Sequence, residues 1–131
     1  DNFGGRDIFR CPWDAQANDW GKAQNLGPDV NTRFDEDGVF VTEDGKTIYF
    51  SSKGHNSMGG SDIFFSTYDG GRWTKAQNMG KPVNSPDDDL FFVLSKDGTK
   101  GYFSSVRPEG RGMDDLYMVT FGPLQDMGQA R

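Results

Sequence analysis

An all-β fold is what this sequence predicts, and three observations lead to it. The first is composition. Of 131 residues, 11 are Phe, 4 Tyr, 3 Trp and 18 Gly, against 5 Ala and 5 Leu. Aromatic and turn-forming residues are plentiful and good helix formers scarce, which suits strands joined by tight turns. The second is internal repetition. Trp20-Gly21-Lys22-Ala23-Gln24-Asn25-Leu26-Gly27 recurs as Trp73-Thr74-Lys75-Ala76-Gln77-Asn78-Met79-Gly80, an offset of 53. The same offset of 53 relates Val30-Asn31 to Val83-Asn84, Glu43-Asp44-Gly45 to Lys96-Asp97-Gly98, Tyr49-Phe50-Ser51-Ser52 to Tyr102-Phe103-Ser104-Ser105, and Asp62-Ile63-Phe64 to Asp115-Leu116-Tyr117. An earlier copy, Asp7-Ile8-Phe9, lies 55 residues before Asp62, so the first unit holds two extra residues between Asp7 and Trp20. The third observation is the apolar runs Val39-Phe40-Val41, Ile48-Tyr49-Phe50, Ile63-Phe64-Phe65 and Leu90-Phe91-Phe92-Val93-Leu94. A sheet with one wet face would alternate apolar and polar residues, so these strands are expected to be buried on both faces.

Within one unit four strands are expected in order. The first runs over about Gly38–Thr42 and ends in a Glu43-Asp44-Gly45 turn. The second is Thr47–Ser52, followed by a Gly-rich loop over Lys53–Gly60. The third is Asp62–Thr67, and Tyr68-Asp69-Gly70-Gly71 turns it into a fourth, Trp73–Asn78. Asp-Gly and Gly-Gly pairs suit hairpin turns because they tolerate positive φ. Four consecutive antiparallel strands in a repeat of this length describe one blade of a β-propeller. The fold class expected is therefore a partial β-propeller with four-stranded antiparallel blades. Residues 1–29 give the second half of one blade, 30–80 a complete blade, 81–121 most of a third, and 122–131 a tail or linker. That is too little for a ring. Closure is expected from a longer chain or from association of copies.

Composition also removes whole classes of function. The net charge is -6 and the isoelectric point about 4.6, which repels a phosphate backbone and argues against nucleic-acid binding. No apolar run approaches the roughly 20 residues a spanning helix needs. The single cysteine, Cys11, permits no intrachain disulfide and no cysteine-based zinc site. No cofactor motif is present: the Gly-rich loops Phe3-Gly4-Gly5, Met58-Gly59-Gly60 and Gly110-Arg111-Gly112 precede strands, where a phosphate cradle would open a helix. No catalytic set is expected, because Ser51-Ser52 and Ser104-Ser105 lack a nucleophile elbow and His55, read as an exposed loop residue, is the sole histidine.

Several side chains remain as candidates for binding or for building the repeat. The acidic clusters Asp35-Glu36-Asp37 and Asp87-Asp88-Asp89 each precede an innermost strand. They are expected to converge with the Gly-rich loops at one mouth of a central channel, as binding residues. Carboxylate oxygens suit calcium, so Asp87, Asp88 and Asp89 form a weak calcium candidate, although the spacing is not that of an EF-hand. Asp7, Asp62 and Asp115 follow the Gly-rich loops and are expected to lock them through backbone amides. Gly45 and Gly98 belong to the repeated turns. Trp20 and Trp73, at one repeat position, are expected to pack on the outer strand with the indole N–H bonded locally. Trp13 lies in the two-residue insertion and is the candidate for contact with a partner.

These residues carry a family resemblance. Asp44-Gly45-Lys46-Thr47-Ile48-Tyr49-Phe50-Ser51-Ser52, Gly59-Gly60-Ser61-Asp62-Ile63-Phe64 and Tyr102-Phe103-Ser104-Ser105-Val106-Arg107-Pro108 resemble the WD40-like PD40 repeat of TolB-type β-propellers. The long form, with Asn-Leu-Gly, Val-Asn-Thr and then an acidic cluster, is similar to repeats in OmpA-family proteins associated with the Gram-negative outer membrane, one of them in the type IX secretion machinery. The likeness spans about residues 3–121. It departs from the pattern at Glu43 and Lys96, where the usual residue is Pro, and at Lys53-Gly54-His55, where Arg-Pro is usual. The resemblance implies a non-catalytic scaffold that binds other envelope proteins. It also implies a periplasmic or outer-membrane location, and attachment to peptidoglycan by a domain outside this chain. A carbohydrate- or peptide-binding propeller gating a hydrolase domain elsewhere is the alternative.

Overall fold

In a computed structural model of the chain, residues 2–122 are described, and among them there is no helix. Four short strands come first: β1 (Phe9–Arg10), β2 (Trp13–Asp14), β3 (Asp19–Trp20) and β4 (Gln24–Asn25). A longer set follows: β5 (Glu36–Val41), β6 (Thr47–Ser52), β7 (Asp62–Asp69), β8 (Arg72–Trp73) and β9 (Gln77–Asn78). The last three are β10 (Asp89–Leu94), β11 (Lys100–Ser105) and β12 (Asp115–Thr120). All pairings are antiparallel. The central sheet runs β5-β6-β7-β8, with β9 also on β7; the C-terminal sheet runs β10-β11-β12; β1 pairs β4 and β2 pairs β3. The expected tail from Pro123 onward lies outside the described residues.

The expected fourth strand, Trp73–Asn78, is instead two pieces. Thr74 interrupts the ladder: its amide still donates to Thr67 O at 2.8 Å, in the register of β8, but its hydroxyl, not its carbonyl, accepts from Thr67 N at 3.0 Å. Ala76 N then donates to Asp29 O at 2.8 Å, tying this edge to the segment before β5. The first strand also starts earlier than expected, at Glu36, and holds a bulge between Asp37 and Phe40. β10 bulges at the matching place, between Leu90 and Val93. Gly38 takes the left-handed turn at the first bulge (φ 57°) and Phe91 at the second (φ 58°). Phe91 holds that strained conformation with its ring over Gly38, where a Cβ would sit 2.8 Å from Phe91 Cδ1.

Two apolar cores flank the central sheet, because alternate residues of β6 and β7 point to opposite faces. Ile48, Phe50 and Phe64 meet Ile8, Val30 and Ala76 on one side. Ile63 meets Val83, Phe92, Phe103, Val119 and Phe121 on the other, with Tyr49 against them. The expectation of two-sided burial holds for β6 and β7 and fails for β5 and β10. Val39, Val41, Phe91 and Val93 are exposed.

Candidate functional site

Each junction between successive units is built by the same polar network, and that network fixes the candidate site. Asn31 lies in the turn before β5. Its Oδ1 accepts from Ile8 N at 2.7 Å, and its Nδ2 donates to Ile8 O at 2.9 Å and to Asn25 Oδ1 at 2.8 Å. Asn84 repeats this on Ile63 N (2.7 Å), Ile63 O (2.8 Å) and Asn78 Oδ1 (2.8 Å). An asparagine side chain thus stands in for a backbone pair and clamps one unit to the next.

The loop aspartates stand behind that clamp. Asp7 Oδ2 accepts from Phe3 N, Asp62 Oδ2 from Met58 N and Asp115 Oδ2 from Arg111 N, at 2.5, 2.6 and 2.5 Å. Asn25 and Asn78 add side-chain bonds to Asp7 and Asp62 at 3.0 and 2.9 Å. Asp62 is fully buried, and burial raises its carboxyl above the usual range, against the bonds from Asn78 and Met58. Its Oδ1, like Asp7 Oδ1, is buried without a hydrogen-bond partner. Gly59 follows from the same closeness, because a side chain there would strike the Pro86 carbonyl. The turn glycines Gly45 and Gly98 have positive φ of 71° and 75°. In that turn Asp97 accepts from the hydroxyl and amide of Thr99 and from the Ser95 hydroxyl, which hold its pKa down to about 2.

The acidic clusters split three ways. Glu36 and Asp89 turn inward and are buried. Glu36 accepts from Thr32 N, Thr32 Oγ1 and Ser52 Oγ at 2.8, 2.6 and 2.5 Å. Asp89 accepts from Ser85 N at 2.7 Å and Ser105 Oγ at 2.6 Å, with Arg107 at 3.4 Å. Asp35, Asp37 and Asp88 line one open cavity of about 610 Å³ together with Arg6, Arg33, Phe34 and Lys53. Asp35 accepts from Arg6 N at 2.7 Å, Asp37 pairs with the Arg6 guanidinium at 2.7 Å, and Asp88 accepts from Ser61 N at 2.8 Å. Asp87 lines a different cavity, beside Pro82 and Arg107. The calcium candidate is therefore not assembled: Asp87, Asp88 and Asp89 diverge, and among the described residues no three His, Cys, Asp or Glu side chains are grouped to hold a metal ion.

Three residues differ from expectation: His55, Trp73 and Trp20. His55 is half-buried, not an exposed loop residue. Its ring lies near Phe50 and Phe64, with centroids 6.3 and 5.2 Å away, and its Nε2 is 2.8 Å from Val30 O, which makes Nε2 the donor. Arg107 takes the corresponding place one unit later, over Phe103 and Tyr117 and donating to Val83 O. Trp73 is half-buried against the core, 5.1 Å from Tyr68, but its indole N–H has no partner. Its repeat mate Trp20 is 64% exposed and packs edge-on against Trp13, itself 52% exposed, at 5.0 Å. The insertion thus converts a packing position into an exposed tryptophan pair. No protein-family model, no curated protein and no solved structure matches this chain.

Proposed function

We propose that this chain is part of a β-propeller that acts as a non-catalytic scaffold for protein–protein contacts. The single observation that carries the reading is the repetition of the junction network at a fixed sequence offset: Asn31 and Asn84 do the same work 53 residues apart. Sheets coupled face to face by one recurring rule are what a propeller is made of. The side chains a hydrolase would need are committed elsewhere. Ser52 Oγ donates to Glu36, Ser51 Oγ to Asp37 O, and His55 to Val30 O. What remains on offer is the mixed-charge cavity around Arg33, Phe34, Lys53 and Asp35, and the Trp13–Trp20 pair. Exposed tryptophan and arginine are typical anchors of protein interfaces.

The resemblance of the repeats extends the proposal. The scaffold belongs to a Gram-negative envelope, in a peptidoglycan-associated outer-membrane protein or a secretion complex, with peptidoglycan held by a domain outside this chain. Affinity capture from solubilised outer membranes checks it. The chain should retain a specific envelope protein, and Trp13→Ala with Arg33→Glu should lower that retention about tenfold or more, the effect of losing an interface hot spot. Equal retention by chain and variant, or a parent protein found only in the cytosol on fractionation, sinks the reading.

A further inference from the structure

We propose that Asp69-Gly70, at the tip of the β7–β8 hairpin, is a modification site at which the chain converts its own aspartate to isoaspartate, while its other Asp-Gly steps are protected by the fold. The sequence holds four such steps: Asp37-Gly38, Asp44-Gly45, Asp69-Gly70 and Asp97-Gly98. All four share the same local chemistry, so any difference between them must come from structure.

The reaction needs no reactant but water. The carboxyl group takes a proton from solvent, and the glycine backbone nitrogen attacks the aspartate Cγ. A nitrogen–carbon bond forms, and the N–H proton and the carboxyl OH leave together as water. The product is a cyclic imide. Water then opens the ring. Attack at Cγ restores aspartate; attack at the main-chain carbonyl breaks its bond to nitrogen, leaving the chain joined through the side chain and the α-carboxylate free. Nothing is oxidised or reduced. The step therefore asks for a glycine amide without a hydrogen-bond partner, a carboxyl group free to be protonated and to rotate, and a backbone with room to turn.

Three of the four steps fail these conditions. Gly45 N donates to Thr42 O at 2.8 Å and Gly98 N to Ser95 O at 2.9 Å, so both nucleophiles are engaged. Their carboxylates are engaged as well. Asp44 accepts from Lys46 N and Thr42 Oγ1 at 2.9 and 2.7 Å, and Asp97 from Thr99 Oγ1, Thr99 N and Ser95 Oγ at 2.7, 3.0 and 2.8 Å. Those bonds favour the ionised carboxylate, from which no OH can leave: Asp44 is held below the usual range and Asp97 at about 2. At the third step Gly38 N donates to Asp37 Oδ1 at 2.9 Å, and the Arg6 guanidinium holds the same carboxylate at 2.7 Å. The Phe91 ring lies against Gly38 and leaves its backbone no room to turn.

Asp69-Gly70 meets all of them. Among the described residues, neither the Asp69 carboxylate nor the Gly70 amide has a hydrogen-bond partner. No atom lies within 4 Å of where a Cβ on Gly70 or Gly71 would stand, and residues 69–72 are all exposed. The tip is closed by two ladder pairs alone, Tyr68 opposite Trp73 and Asp69 opposite Arg72. So short a ladder at an exposed edge opens at little cost, which gives the backbone the freedom the ring requires. The site is in mid-chain, with described strands before and after it. Isoaspartate would add a methylene to the backbone beside Tyr68, whose ladder partner Trp73 packs against the first core. The inference is independent of the scaffold reading and of cellular location.

The test incubates the full chain in warm, neutral buffer made with heavy-oxygen water, then digests it and reads each aspartate by electron-transfer fragmentation. Every passage through the imide leaves one heavy oxygen on that residue, and the fragments distinguish aspartate from isoaspartate. Label at Asp69 should exceed that at each of Asp37, Asp44 and Asp97 by about fivefold or more, with isoaspartate accumulating there. The same incubation in denaturant removes the structural protection, and the four residues should then agree within about threefold. Label at Asp69 no higher than at the other three in the folded chain overturns the proposal. So does an Asp69 excess that persists undiminished in denaturant, because local sequence and not the fold would then set the rate.

Discussion

Two aspartates in this chain respond to acid in opposite senses, and each does so because of its immediate partners. Asp97 sits in an exposed turn with its carboxylate bonded to Thr99 and Ser95, and its pKa falls to about 2 from an ordinary 3.8. A lowered folded-state value gives stability that is present above the ordinary value and lost as pH falls through about 2. Asp62 is raised by burial, so its ionised form is penalised in the folded chain. That penalty sets in as pH rises past 3.8 and is complete above the raised value, so mild acid relieves it. Carboxyl titration by NMR should find Asp62 above the ordinary range and Asp97 near 2. The melting temperature of Asp62→Asn, compared with the parent, should gain with rising pH. Asp62 titrating at or below 3.8 would contradict the account. Much of this scale was legible in the sequence, since an Asp that follows a Gly-rich loop at each repeat reads as a brace. The role of His55 was not. Its mate in function is Arg107, two residues past Ser105, whereas His55 is three past Ser52. A one-residue shift and a change of residue type conceal that both side chains donate to the carbonyl of a junction valine while lying against matching pairs of aromatic rings.

At the scale of strands, the junction asparagines have the most to lose. Asn84 supplies three hydrogen bonds from a position that is 2% exposed. Asn84→Ala strands the Ile63 amide in an apolar setting, while Ile63 O keeps the Met79 amide at 3.0 Å, and should cost about 2 kcal/mol, given about 1–3 kcal/mol for a buried group left unpaired. Denaturant unfolding measures this directly, and a loss under about 1 kcal/mol would mean that water replaces the side chain. Three strands of the repeat could be read from their apolar runs, because a ladder needs only a run and two turn signals. The fourth could not. Trp73–Asn78 looks continuous in sequence, yet the Thr74 hydroxyl takes the Thr67 amide and the Ala76 amide goes to Asp29. Asp29 is distant in the chain, and nothing in a six-residue window points to it. The bulges were equally hidden: Gly38 hints at one, but its mate is Phe91, the last residue type to suggest a left-handed turn.

Across the whole molecule, stability is divided between two cores that share only the central sheet. Ile48 belongs to one and Val119 to the other. Ile48→Val and Val119→Ala should each destabilise by about 1–2 kcal/mol, and together by their sum within about 0.5 kcal/mol. A larger coupling in equilibrium unfolding would mean that the central sheet transmits strain from face to face. The all-β class, the repeat and the turns were available from sequence, because each is a local pattern. The candidate cavity was only partly so. The acidic clusters announced themselves, but which oxygens face solvent depends on Thr32, Ser52, Ser85 and Ser105 folding back onto Glu36 and Asp89. The asparagine clamp has a further consequence, in terms of ancestry and growth. A coupling confined to residues near the junction makes no reference to how many units stand on either side. Units can then be duplicated or lost by a single recombination without redrawing the joint, and each copy is free to drift in its loops. The pair His55 and Arg107 records such drift inside one chain, with length a variable and the joint a constant.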